Sequence, residues 1–529
     1  MKLRDHEFLR AAGLLALVIV LAFWDVVFLG RTLLTSNTIV GTIPSGAYGY
    51  SGRRAASFPV VDAGASAWQY EPYVKVLHDD LVRGWLPLWD PYVANGAPLL
   101  ANMASAVLSP MRLLVASVQK AGFWDFYLLS RLFLAAVFTY LLARSIGIGF
   151  TGSLVAGIAF GLSGHFVLYV NMADLDVQIW LPALLLATEN LLKRLAYRTF
   201  IVITVLIALM ILGGMPESAL FMFLLAGLYF LIRSWTLAPT GDQRPSFRKA
   251  LIAFSAASGG GFLISLPQVL PFVEYLQHAF NPRAPGTGSV FFSLYTAPSL
   301  VLPGFFGPLH QTWNGIDSFS ILPYVGAVCC LLAIAGLCSN RPNSPLAVFF
   351  GGFCLFYLLK SFGVPLVQWV GRLPLFNVSI FPKHAFPAFS LSLAILAGIG
   401  VDHLLEGTVN YTRFSVCFVL FSLIVVGFVA LNWRSAAHAG VLKSVARSCL
   451  VFAVGLCLTW FLGLAARHFG PDRLLVGLGL VLLPTAELVM SIPRERTDRY
   501  EAFTKPPFVD FLRSDRQIYR TFSLDNFLY

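Results

Sequence analysis

Blocks of roughly 13–21 apolar residues recur along almost the whole chain, most of them long enough to cross a hydrocarbon core of about 30 Å once their flanks are counted. A backbone in lipid must satisfy its own N–H and C=O groups, so each block has to be a helix. A barrel would show alternating segments of about 10 residues instead. Only 12% of the residues are charged and 57% are apolar, against roughly 25% charge in a soluble domain. Too little polar surface remains to face water, and the sequence predicts an all-α polytopic membrane protein. Its formal charge of +11 reads as topology rather than as a nucleic-acid footprint, because Lys and Arg collect in short cytoplasmic loops. Part of the excess can face anionic head groups of membrane lipid.

About thirteen spans are expected. They lie near Leu9–Leu29, Tyr127–Ser145, Leu154–Val170, Ile179–Leu192, Phe200–Leu212, Ala219–Ile232, Leu251–Leu270, Ile321–Leu337, Leu346–Leu359, Ala385–Val401, Phe414–Leu431, Leu450–Ala465 and Leu474–Met490. Pro267 and Pro271 are expected to kink or end the seventh. Lys2, Arg4 and Arg10 flank the first span and place the N-terminus in the cytoplasm. An odd number of crossings then puts the C-terminus outside, on the side of three long loops rich in Pro, Gly and aromatic residues. Residues 1–491 form the membrane domain, and residues 31–122 are its large first loop, with interfacial helices expected near Trp68–Arg83 and Ala101–Val118. Residues 492–529 turn polar and read as the start of a further extracytoplasmic region. The seven cysteines lie in or beside the spans without CxxC or metal-ligand spacing, as small packing residues do.

Ionisable groups at membrane depth are costly and so are candidates for function. Asp62, in FPVVDAGASAWQYEPYV, can take a proton from an acceptor hydroxyl, although an Asp there also suits a solvated loop or a helix N-cap. Asp174 and Asp176, in VNMADLDVQIW, have a D-x-D spacing that in a tight turn can hold a divalent cation, and a short turn also needs polar residues. Glu217, in GGMPESALF, fits an acidic site or a helix N-terminus. Asp25 lines a cavity or marks the interface at the outer end of the first span. Lys383, Arg372 and Arg283 could steady a phosphate. Lys383 and His384 in SIFPKHAFPAF could equally reach toward the interface. His165 reads as a hydrogen-bonded core histidine.

The stretch DAGASAWQYEPYVKVLHDDLVRGWLPLWDPYVANGAPLLANMASAVLSP, with Gly84, Pro87-Leu88-Trp89, Pro91-Tyr92, Asn95-Gly96, Pro98 and Ser109-Pro110, resembles the first loop of the YfhO family of bacterial membrane proteins. AFGLSGHFVLYVNMADLDVQIWLPALLLATENLL, GGMPESALF, SLPQVLPFVEYL and LKSFGVPLVQWVGRLPLFNVSIFPKHAFPAFSLSLAILAGIGVDHL follow in that family's order. The resemblance implies a GT-C-type bundle in the bacterial plasma (inner) membrane. It implies a glycosyltransferase that moves a sugar from a polyprenyl-phosphate donor to a cell-envelope acceptor. The family's catalytic carboxylate matches Asp62, and its second acidic group matches Asp174 and Asp176. Lys383 stands where the family favours Arg, which replaces a two-pronged clamp with a point charge. A transporter or flippase of lipid-linked sugars and a non-catalytic assembly factor are the competing readings.

Overall fold

The computed structural model describes residues 5–38, 49–55, 60–93, 96–237, 245–279, 286–307, 312–313, 321–340, 345–468 and 473–502, with Pro507, Asp510 and Ser514. Arg283 lies outside them. The chain is helical nearly throughout. Helices α1 (Asp5–Ala22) and α2 (Trp24–Phe28) are followed by the first loop, which carries α3 (Glu71–Val82), a two-residue hairpin of β1 (Trp89–Asp90) and β2 (Ala97–Pro98), and α4 (Pro110–Ser117). Next come α5 (Ala121–Ser145), α6 (Phe150–Gly161), the one-turn helices α7 (Gly164–Leu168) and α8 (Asp174–Gln178), α9 (Leu181–Lys193), α10 (Tyr197–Leu212), α11 (Pro216–Thr236) and α12 (Phe247–His278). The remainder is α13 (Ala327–Leu337), α14 (Pro345–Ser361), α15 (Phe386–Glu406), α16 (Tyr411–His438), α17 (Leu442–His468) and α18 (Arg473–Ser491).

Every apolar run expected to span overlaps at least one of these helices. Among the described residues, nine helical segments are long and apolar enough to cross a membrane, or ten if α14 and the turn at Pro365–Arg372, bent by 95°, form one broken span. The shorter α10 and α13 make up part of the difference from the expected number. Helix α1 carries Glu7 and Arg10 in its first turns. Two expectations change. The first span is broken at Phe23, whose φ of −119° and ψ of 33° are not helical. Helix α12 is not ended by Pro267 or Pro271 and continues to His278; in a membrane helix the freed carbonyls are tolerated because neighbours and local adjustments re-satisfy them.

Burial separates centre from rim. The apolar stretch spanning α6 and α7 is 89% buried, whereas that of α16 is 11% buried and faces lipid. Helices α13, α15 and α6 form the centre, and small residues let their backbones touch. A Cβ on Gly400 would lie 1.8 Å from the Leu332 carbonyl oxygen, and one on Gly152 would lie 2.4 Å from that of Gly398. With no solvent difference to drive helices together in lipid, such close approach is a main source of attraction.

Charge collects at the two ends of the bundle. At one end Glu189 is held by Arg233 at 2.8 Å and Lys193 at 3.0 Å, and Glu7 by Arg144 at 2.8 Å. At the other lie the first loop and the candidate residues. There the described residues after Pro493, as far as Ala502, lie against the first loop. They form a strap along it: Thr32 N donates to Thr497 O (3.1 Å), Asp498 N to Arg53 O (2.9 Å) and Arg499 N to Gly30 O (2.7 Å). Arg31 pairs with Asp498. Tyr500 bonds the Ser36 hydroxyl and accepts from Asn37 N (3.1 Å).

Candidate active site

Asp62 begins a compact turn. Its Oδ1 accepts from Ala65 N at 2.8 Å, which is an N-cap. The next turn, Ser66–Tyr70, is a π-helix, a rare form that tends to sit at functional sites, and α3 follows. The Asp62 end is tied to the segment after α7: Val61 N donates to Leu168 O (2.9 Å) and Asn171 Nδ2 to Asp62 O (2.9 Å). The α3 end is fixed by Glu71, which accepts from Thr35 N (3.1 Å), Ser36 Oγ (2.8 Å) and Ser66 Oγ (3.1 Å). Burial pushes the Glu71 carboxyl above its ordinary value, with those donors pulling against it.

Asp174 and Asp176 are in the first turn of α8, not in an irregular turn. At 3.6 residues per turn, residues two apart point about 200° away from each other. The two carboxylates therefore serve different partners. Among the described residues no group of three or more His, Cys, Asp or Glu is placed to hold a metal ion.

Asp176 faces α4 and α5. Arg131 Nη1 lies 2.9 Å and Arg112 Nη2 3.2 Å from its oxygens, and Tyr127 Oη donates at 2.6 Å. Arg131 also donates to Met172 O at 3.0 Å. All these groups are buried, so Asp176 is the hub of a structural ion cluster. Arg112 and Arg131 escaped the reading of the sequence. For Arg131 the signal was present, since a lone cation inside FYLLSRLFLAA is an outlier in lipid.

Asp174 faces the other way, toward α11 and the turn Phe381–His384. Ser218 Oγ donates to its Oδ1 at 3.0 Å, and His384 Nδ1 lies 3.3 Å from the same oxygen and donates to Ser218 Oγ at 3.0 Å. Gln178 Nε2 donates to Ser218 Oγ (3.1 Å), and His165 Nε2 donates to Gln178 Oε1 (2.9 Å). Every proton in the chain His165, Gln178, Ser218 points toward Asp174. His165 is thus the bonded core histidine expected, stacked 4.6 Å from Tyr169. The other ring nitrogen of His384 lies 3.2 Å from Glu217 Oε2, which also accepts from Ile380 N at 3.2 Å. Glu217 is therefore not an isolated helix cap but the outer member of an Asp174–His384–Glu217 row. The Gly213-Gly214 pair in GGMPES makes this possible: Gly214 has φ +90°, and a Cβ there would lie 2.4 Å from Met103 O.

Burial and then Asp174 push the Tyr70 phenol well above the ordinary value, Arg112 pulls against them, and Asp62 adds to them, so both carboxylates act electrostatically on this ring. Lys383, half-buried, lies 5.5 Å over the Tyr169 ring and bears electrostatically on Asp174. Arg372 does not join them; it is exposed at the end of the turn Trp369–Arg372. Asp25 does not line the site either, since Arg496 Nη1 holds its Oδ1 at 2.6 Å. Of the five carboxylates singled out, Asp62 alone has no cationic partner among the described residues; it is half-buried, and Asp174 Oδ2 is buried without a hydrogen-bond partner.

No family model matches the chain, and no curated protein matches it. The YfhO resemblance therefore stands on the motifs that carry it. Among solved structures the chain is similar to that of ArnT from Cupriavidus metallidurans in the apo state, at 14% sequence identity, covering 80% of this chain and 72% of that chain, with a TM-score of 0.40.

Proposed function

We propose that the chain is a membrane glycosyltransferase of GT-C type. It moves a sugar from a polyprenyl-phosphate donor to an acceptor in the cell envelope, on the extracytoplasmic face. The observation that supports this reading is that Asp62, half-buried and tied to the segment that leads to Asp174, has no cationic partner among the described residues. A base must be able to accept a proton, and a carboxylate bound by guanidinium is a poor one. Asp25 and Asp176 are held in that way, and Asp174 and Glu217 share His384.

In this reading Asp62 takes the proton of an acceptor hydroxyl. The oxygen forms a bond to the anomeric carbon, the bond from that carbon to the phosphate oxygen breaks, and polyprenyl phosphate leaves with the electron pair. Lys383 supplies positive charge beside the leaving group. Asp174, which accepts from Ser218, bears electrostatically on Lys383.

The test is Asp62→Asn in the full chain, purified in a folded state and given a series of polyprenyl-phosphate sugars with envelope acceptors. Transfer should fall by about a hundredfold or more with unchanged thermal stability. Full transfer by the variant removes Asp62 from the mechanism.

A further inference from the structure

The first loop ends its third helix in a projection that the proposed chemistry does not use. Gly84, at φ +71°, reverses the chain after α3. The following residues then form the β1–β2 hairpin, paired as Trp89 with Pro98 and Asp90 with Ala97. Its inner side is tied down: Asp90 is buried and accepts from Tyr92 N at 2.9 Å, and Leu99 N donates to Leu88 O at 2.9 Å. Its outer side is apolar and uncovered. Val82 is 74% and Leu86 75% exposed, and Trp85, Leu88, Trp89 and Tyr92 are all more than half exposed. A soluble surface rarely gathers so much apolar area in one place without a partner.

We propose that this tip is inserted in the outer leaflet of the membrane that holds the bundle, where it anchors the first loop. Three observations select lipid. The projection lies beside the lipid-facing rim: Asn102 Nδ2, just beyond β2, donates to Tyr73 Oη of α3 at 2.9 Å. Gln268 of α12 likewise reaches Met103 O just beyond β2. At that end α12 exposes Leu270, Val273 and Leu276, so the apolar tip continues an apolar belt. The aliphatic residues Val82, Leu86 and Leu88 equal the aromatic ones in number, whereas a sugar-stacking platform would be aromatic with polar neighbours. Arg83 lies 5.2 Å over the Trp85 ring, a pairing suited to the head-group level, where tryptophan rings and long cationic side chains gather.

The test places a nitroxide on Leu86→Cys in the full chain, with the exposed Cys457 replaced by Ser, in vesicles of phosphatidylcholine and phosphatidylglycerol. Collision rates with oxygen and with a water-soluble nickel chelate are compared with those of a label on Arg53→Cys, an exposed polar position of the same loop. The Leu86 label should be reached by oxygen and shielded from nickel, at a depth of about 5–10 Å below the phosphates. Nickel access equal to that at position 53 overturns the proposal. So does shielding from both reagents, which would mean protein cover, and so does spin–spin broadening, which would mean a second copy of the chain.

Discussion

Asp62 and Asp176 are both carboxylates singled out for the site, yet substitution should separate them. Asp62→Asn removes one accepted hydrogen bond at a half-buried turn and should leave stability nearly intact while abolishing transfer. Asp176→Asn leaves two buried guanidiniums facing a neutral amide. Loss of one partner from a buried ion cluster costs about 3–5 kcal/mol, so this variant should show a lowered unfolding midpoint in detergent whatever its activity. Glu71 gives a third signature. Its folded-state value is raised by burial, so the folded chain holds that proton more tightly than the unfolded one. Its contribution to stability is whole below the unfolded value, about 4.5, and declines as pH rises from there through the raised value. Unfolding midpoints measured across that range should fall less steeply in Glu71→Gln.

At the scale of elements, helix contacts set the most demanding constraints. A methyl group on Gly400 would strike the Leu332 carbonyl, so Gly400→Ala should force α13 and α15 apart. Overpacking of this kind costs about 1–3 kcal/mol, read as a drop in thermal stability, and Gly400→Leu should prevent folding. Nothing in the apolar pattern marks Gly400 as a contact point. That pattern located the helices well, because a long apolar run in lipid has only one backbone solution. It read the irregular elements less well. The helical state of Asp174–Gln178, set by packing against α10 and α11, gives its two carboxylates different partners. Pro267 and Pro271 did not end α12. Asp62 was legible through its motif and Asp174 through its depth. The row from Asp174 to Glu217 was not, since Ser218, His384 and Gln178 come from separate segments that only the fold joins.

Across the whole molecule, segments far apart in the chain meet. Asp25 of α2 is buried against Arg496 of the strap, 471 residues away. Arg496→Ala leaves that carboxylate unpaired in a buried place, and a cost of about 3–5 kcal/mol is expected, measurable by chemical unfolding in micelles. Charge also separates cleanly by end, with Glu189 and Glu7 at one and the acidic row at the other.

The strap has a consequence for biosynthesis. A ribosome releases the segment containing Asp25 into the translocon long before it makes Arg496, so for most of translation the first loop lacks its counter-ion and its edge partners. Only when α18 has been inserted and the strap emerges can the start of the protein reach its final arrangement. Maturation of this end of the bundle therefore waits on α18, and nascent chains halted before that point should remain protease-sensitive around residues 31–38.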